Sequence, residues 1–199
     1  MTNRPPEKQC DFKTLVELST MINSSLDMEA VLNNAMECVQ VSMNSEASAI
    51  FELDREQGDL FFRIALGSAA DRARDMRVKL GEGVAGWVAK TGEPLIISDT
   101  RTDPRFLPFV DSRTGFETRS ILCVPIVFKG ELCGVLQVLN KQDERGFDSN
   151  DLEMLTILAN QLAIALENAR LYMRLNEKFA LTEEELRTAQ EKLIQSERL

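Results

Sequence analysis

The residues able to do chemistry narrow the field first. The 199-residue chain has no histidine and four cysteines, Cys10, Cys38, Cys123 and Cys133. Without imidazole there is no Ser-His-Asp triad, no histidine acid–base step and no histidine-ligated haem. No two cysteines form a Cys-x-x-Cys pair, so a zinc site lacks both its usual ligands and their spacing. Cys123 and Cys133 alternate with apolar residues in ILCVPI and ELCGV, which reads as small core side chains. The catalytic alternative is a thiol reductase or redox sensor, which needs an accessible thiol in an electropositive setting.

Two other stretches carry functional residue types. Gly81-Glu82-Gly83-Val84-Ala85-Gly86 is open enough for a ligand to approach the backbone. It lacks the lysine and the spacing of a phosphate-binding loop, so backbone geometry ahead of a helix is its plainer role. The segment DTRTDPRFLPFVDSRTG, residues 99–115, interleaves acids with arginines and aromatics. Asp99, Asp103, Asp111 and Glu117 stand among Arg101, Arg105, Arg113 and Arg119, a pattern that solvated ion pairs explain. A divalent cation would need their oxygens to converge, and no metal site is assigned. Phe106, Phe109 and Phe116 are either apolar anchors for a lid or walls for a planar ligand. Trp87, the single tryptophan, is core filler or part of such a wall. Arg119 enters a strand beside Thr118 and Ser120; facing a pocket, it would need a carboxylate or an anionic ligand.

The elements that must position these residues follow from periodicity. Residues 1–9 are polar and contain Pro5-Pro6, a tail. Helical spacing runs over 10–22. A second helix, with Asp27 as N-cap, carries Met28, Leu32, Ala35, Met36, Val39 and Met43 on one stripe. The period then changes to two. Strands are expected at 47–54 and 60–66 around Glu56-Gln57-Gly58-Asp59, at 76–80, at 95–97, and at 120–127 and 132–139 around Lys129-Gly130. Residues 67–75 read as a loop. A short helix ends near Lys90, with Gly92 placed for a left-handed cap. Two prolines and a late glycine make 99–115 a lid with short helical turns. From Asp148 on there is no proline or glycine, and 52 residues of helix would span ~78 Å. The last part has heptad spacing, Tyr172, Leu175, Phe179, Thr182, Leu186, Ala189, Leu193 and Ser196, which suits a two-stranded coiled coil.

The order predicts an α+β fold. A mostly antiparallel sheet of about six strands has N- and C-terminal helices on one face, short helices and the lid on the other, and a long C-terminal helix beyond. A small ligand would sit between sheet and lid. Hydrophobic residues make up 44%, enough for a core, and the net charge of −9 argues against nucleic acid or an anionic membrane as partner. No run approaches the ~20 apolar residues of a membrane span, and the N-terminus lacks a signal core, so a cytoplasmic location is expected.

Separated motifs in a fixed order now point further. GEGVAGWVAKTGEPLIISDTRTDPRF, DSRTGFETRSILCVPI, GVLQVLNK and FDSNDLEML together resemble the GAF domain, in the branch found in cyclic-nucleotide phosphodiesterases and bacterial adenylyl cyclases. The resemblance covers residues 10–170 and leaves 171–199 as a coiled-coil linker. It implies a structural lock of Asn140, Lys141, Phe147 and Asp151, in which the Lys–Asp pair ties the loop after the last strand to the C-terminal helix; Leu152 stands where the family has glutamate. It also implies ligand positions at Ala85, Asp111 and Thr118. With the residues read above, the expected ligand-facing set is Ala85, Trp87, Asp99, Phe106, Phe109, Asp111, Phe116, Thr118 and Arg119. Ala49, Leu66, Leu107 and Gln137 depart from the branch at polar contact positions, so cyclic nucleotide is a candidate ligand.

The resemblance implies a sensory module without catalysis of its own, homodimeric through its terminal helices and controlling an attached output domain. The end EKLIQSERL resembles the helix leading into sensor histidine kinases, which implies a bacterial two-component origin. Free methionine sulfoxide reduction and ligand-free dimerisation are the alternatives.

Overall fold

A computed structural model describes residues 28–143 and 145–196 of the chain. The helix expected over 10–22 and the cap at Asp27 lie outside the described residues. The elements are α1 (Met28–Ser42), β1 (Ser45–Asp54), β2 (Asp59–Leu66), α2 (Ala70–Ala73), β3 (Arg77–Lys79), α3 (Gly83–Thr91), β4 (Leu95–Ile97), α4 (Phe109–Thr114), β5 (Ile121–Phe128), β6 (Glu131–Lys141) and α5 (Ser149–Ser196). The α+β expectation holds: six strands form one sheet in the order β3-β2-β1-β6-β5-β4, and every adjacent pair is antiparallel. The stretch 67–75, expected as loop, contains the single turn α2.

Alternation along the strands divides the core into two layers. Leu32, Ala35, Met36 and Val39 form the buried stripe of α1 at the spacing one helical face requires. They belong with the strand residues Ile50, Leu122, Val124, Leu136 and Val138, all fully buried, and with Leu155, Leu158 and Leu162 from the start of α5. The residues between them point to the other face. There Ala49, Phe51, Phe62, Ile121, Cys123 and Val135 cluster with Val84 and Val88 of α3.

Local chemistry sets where the helices begin and end. Gly92 closes α3 in the left-handed conformation, φ 72°, and donates its N–H to the Val88 carbonyl. Gly86 packs α3 on the strand before it, since a Cβ there would lie 2.3 Å from the Lys79 carbonyl oxygen. Asp148 caps α5: its carboxylate accepts the N–H groups of Asn150 and Asp151, and the Asp151 carboxylate accepts the N–H of Asp148. This reciprocal arrangement satisfies donors the helix cannot use. The backbone N–H of Asp151 holds the Asp148 carboxyl below its ordinary range.

The chain divides into two compact units, the first ending at Ala165 and the second starting at Leu166. Within the second, Leu171, Tyr172, Leu175, Phe179 and Leu186 of α5 are all exposed. Among the described residues no helix is long and apolar enough to cross a membrane.

Candidate ligand cavity

Between the second sheet face and the lid lies a cavity of about 440 Å³, within the size range of small-molecule sites. Its floor is built by residues of β1, β2, β5 and β6, among them Ala49, Phe51, Phe62, Ile121 and Gln137. Small side chains make the room. Ala47, Ala49, Ala65, Ala69, Ala70, Ala73 and Ala85 all border it. The roof is the lid, through Phe106, Leu107, Phe109, Val110, Thr114 and Phe116. Phe51 and Phe62 meet at a centroid distance of 4.2 Å and form an aromatic end wall.

Six of the nine expected ligand-facing residues border this space: Ala85, Phe106, Phe109, Asp111, Phe116 and Thr118. Asp111 has a structural task there. Its carboxylate accepts the backbone N–H and the hydroxyl of Thr118, both at 2.7 Å, which ties α4 to the residue before β5. Phe109 is half exposed and carries the Arg113 guanidinium over its ring at 4.5 Å.

The other three lie elsewhere, each for a physical reason. Trp87 is half-buried and packs against the core cluster; its ring also carries the Arg105 guanidinium at 5.1 Å, and Arg105 pairs with Asp103. Asp99 folds onto its own neighbour, accepting the Arg101 backbone N–H and two guanidinium bonds. Those bonds hold its carboxyl below the usual carboxylate range. Arg119 alternates outward from buried Thr118 and Ser120 and is exposed, pairing with Glu46. Two acid–arginine pairs of the lid are thus local, Asp99–Arg101 and Asp103–Arg105, and among the described residues no cluster of acids, cysteines or histidines could hold a metal ion.

The four proposed lock residues converge beside the cavity floor. Asn140 is buried with φ +56°. Its side-chain oxygen accepts the N–H groups of Arg119 and Ser120, and its amide nitrogen donates to the Glu117 carbonyl and to Glu46. That bond to Asn140, then the Arg119 guanidinium, lowers the Glu46 carboxyl. One residue further on, Lys141 donates to both oxygens of Asp151 and its ammonium lies 5.7 Å from the centroid of the buried Phe147 ring. A continuous run of contacts therefore joins the lid's anchor at Thr118, through Arg119 and Asn140, to the first turn of α5. Glu46 was not legible as part of this cluster. Its neighbours lie 73 and 94 positions away, and only strand pairing brings them together.

The charged groups bordering the cavity are already paired. Arg77 bonds Asp54 and Asp59, Lys79 neighbours Glu82 at 3.9 Å, and Asp111 is held by Thr118. A phosphate here would meet the N-terminus of α3, which borders the cavity at residues 83–85 and has no side-chain cap. That dipole favours an anion by ~0.3–1 kcal/mol, about 2 in partly buried geometry. Desolvating the ion costs several kcal/mol, so the site suits uncharged groups better.

The two thiols considered for redox chemistry, Cys123 and Cys133, are both buried. Neither Cys123 nor Cys133 borders the cavity. Cys123 is fully buried, and burial pushes its thiol far above the ordinary range, away from the thiolate that reacts.

Comparison with known proteins places this geometry. A family model of the GAF domain matches residues 27–166. The chain is 31% identical over 183 residues to a probable 3',5'-cyclic phosphodiesterase, pde-5, of Caenorhabditis elegans, covering 87% of this chain and 24% of that protein; it thus spans about a quarter of that relative's length. In three dimensions it resembles the GAF domain of a phosphoenolpyruvate-protein phosphotransferase from Acinetobacter, with TM-score 0.69 and 24% identity over 86% of this chain and 97% of the other. It also resembles the free methionine-R-sulfoxide reductase of Neisseria meningitidis, with TM-score 0.66 and 22% identity over 79% and 89% of the two chains. At these identities the solved structures speak to the fold alone.

Proposed function

This chain belongs to the GAF domain family, and from that premise we propose that it senses a small molecule held between sheet and lid and passes the occupancy to an attached output domain. The observation that carries the reading is a lid-roofed cavity whose anchor, Thr118, is held by Asp111, while the next residue, Arg119, donates its backbone N–H to Asn140, and Lys141, which follows Asn140, donates to Asp151 of α5.

A ligand that binds two lid positions unequally shifts the balance between them. The lid's exit strand is pinned by Asp111 and Asn140, so lid displacement bears on the Lys141–Asp151 pair. A small rotation at the first turn of α5 is then carried along the helix. The exposed Tyr172, Leu175, Phe179 and Leu186 recur at the spacing of a two-stranded seam. They support residues 171–199 as the coiled-coil linker of a homodimer, since a lone helix would leave them in water. In this reading the domain occupies 10–170, the terminal helices pair two subunits, and the catalysis belongs to an attached domain such as a histidine kinase.

Cyclic nucleotides are tested first because a relative carries a cyclic-phosphodiesterase name; their single negative charge counts against them in a cavity whose charged groups are already paired. A thermal-shift series with cyclic AMP and cyclic GMP reads this directly: a ligand at about 100 times its dissociation constant adds ~2.7 kcal/mol of stability. Coupling is tested by Asp151→Ala in the chain joined to its output domain. Ligand binding is expected to persist while its effect on output is lost; unchanged regulation would remove the lock from the mechanism.

A further inference from the structure

Gln137 stands out on the cavity floor. It lies in the central strand β6, opposite Ala49 on β1 and Cys123 on β5. Its same-face neighbours along β6 are Val135 and Leu139. Apolar positions thus surround a side chain that carries a donor and an acceptor side by side. Its Oε1 is buried and has no hydrogen-bond partner, although the residue borders the cavity. A buried polar atom left unpaired is destabilising, and nearly all such atoms in folded proteins find a partner. The other polar groups around the space are engaged: Ser48 with Gln40, Thr114 with the Val110 carbonyl, Thr118 with Asp111.

We infer that Gln137 is the specificity-determining residue of the cavity, and that it selects an uncharged, flat ring molecule bearing an N–H donor beside a carbonyl or ring-nitrogen acceptor. This rests on the small-molecule reading above and narrows it. The ring fits a space walled by Phe51, Phe62, Phe106 and Phe116. Rotation about the last side-chain bond turns the amide edge to the cavity, because Oε1 is otherwise closed to solvent; the ligand N–H then meets Oε1 and the neighbouring acceptor meets the amide nitrogen. A net charge is disfavoured because Arg77, Lys79, Glu82 and Asp111 are already paired with one another or with neighbours.

Three two-ring probes of similar size separate the terms: the neutral lactam carbostyril, the anion naphthoate, and naphthalene. Affinities are measured by NMR titration on the wild-type chain and on Gln137→Leu, with Gln137→Met as a second replacement and thermal unfolding as the check on folding. Carbostyril is expected to bind most tightly and to weaken about tenfold or more in both variants, while naphthalene binding holds or strengthens. Naphthoate binding as tightly as carbostyril would overturn the preference for an uncharged ligand. A lactam preference that survives both replacements would overturn the role of Gln137. Binding of naphthalene with no lactam preference would remove this inference and leave the cavity as a small-molecule site. No binding by any probe would remove both.

Discussion

The two faces of the one sheet are built to different ends. Under α1 and the start of α5, large apolar side chains fill the space: Ile50, Leu122, Leu136, Leu155 and Leu158 are each no more than about 1% exposed. On the opposite face the same strands set Ala47, Ala49, Ala65 and the amide of Gln137 among larger apolar side chains, and a cavity of about 440 Å³ remains. Close packing is the default of protein interiors, so an unfilled face is where stability has been traded for binding capacity. One layer holds the fold and the other is open to a ligand.

Substitutions measure that difference. Leu136→Ala on the packed face should destabilise by about 2–5 kcal/mol in urea unfolding, because a fully buried leucine leaves a cavity its neighbours cannot fill. A loss below about 1 kcal/mol would mean the two faces are alike. Asp151→Ala leaves the ammonium of Lys141, whose side chain is only 10% exposed, with only the more distant Asp143 at 3.9 Å, and should cost about 1.5–3 kcal/mol. Lys141→Met with Asp151→Leu should recover part of it, because removing both partners leaves no unpaired charge.

Glu46→Gln should cost less than about 1 kcal/mol, since its pair with Arg119 is largely in water. Its signature is the pH dependence. The folded state holds the Glu46 carboxyl below its ordinary 4.5, so its contribution is full above that pH and is lost as pH falls through the lowered value. The wild-type and Glu46→Gln midpoints should therefore hold their gap near neutral pH and draw together as the pH falls below about 4.5; a constant gap would sink the assignment. Smallest of all, Ala49→Leu puts three carbons into the open face. Stability should change little or rise by about 0.5–1 kcal/mol, while probe binding in the cavity is abolished. A loss as large as that of Leu136→Ala would show the floor to be as tightly packed as the other side.

Much of this was legible in the sequence because it is local. The stripe of α1, the hairpin around Lys129-Gly130, the cap at Gly92 and the long α5 all follow from spacing and turn chemistry within a few residues. The lid could be recognised by its prolines and aromatics, and Phe106, Phe109 and Phe116 do border the cavity. The single turn α2 was missed because four residues are too few to show a period. Trp87, Asp99 and Arg119 do not border the cavity, for one common reason. Residue type suggested a pocket, but the direction of each side chain is set by helix phase, by a neighbour's guanidinium or by strand alternation.

The sequence by itself determined which faces are apolar, where chain direction changes, and that no histidine chemistry is available, because those are properties of neighbours along the chain. Only the tertiary structure decided that Glu46, Arg119 and Asn140 share one cluster, that Cys123 is sealed off, and that Gln137 ends on the floor of a cavity with an unpaired oxygen. Each of these depends on which strands pair and in what register. A shift of one residue would reverse every side chain on a strand, and no local pattern records that choice.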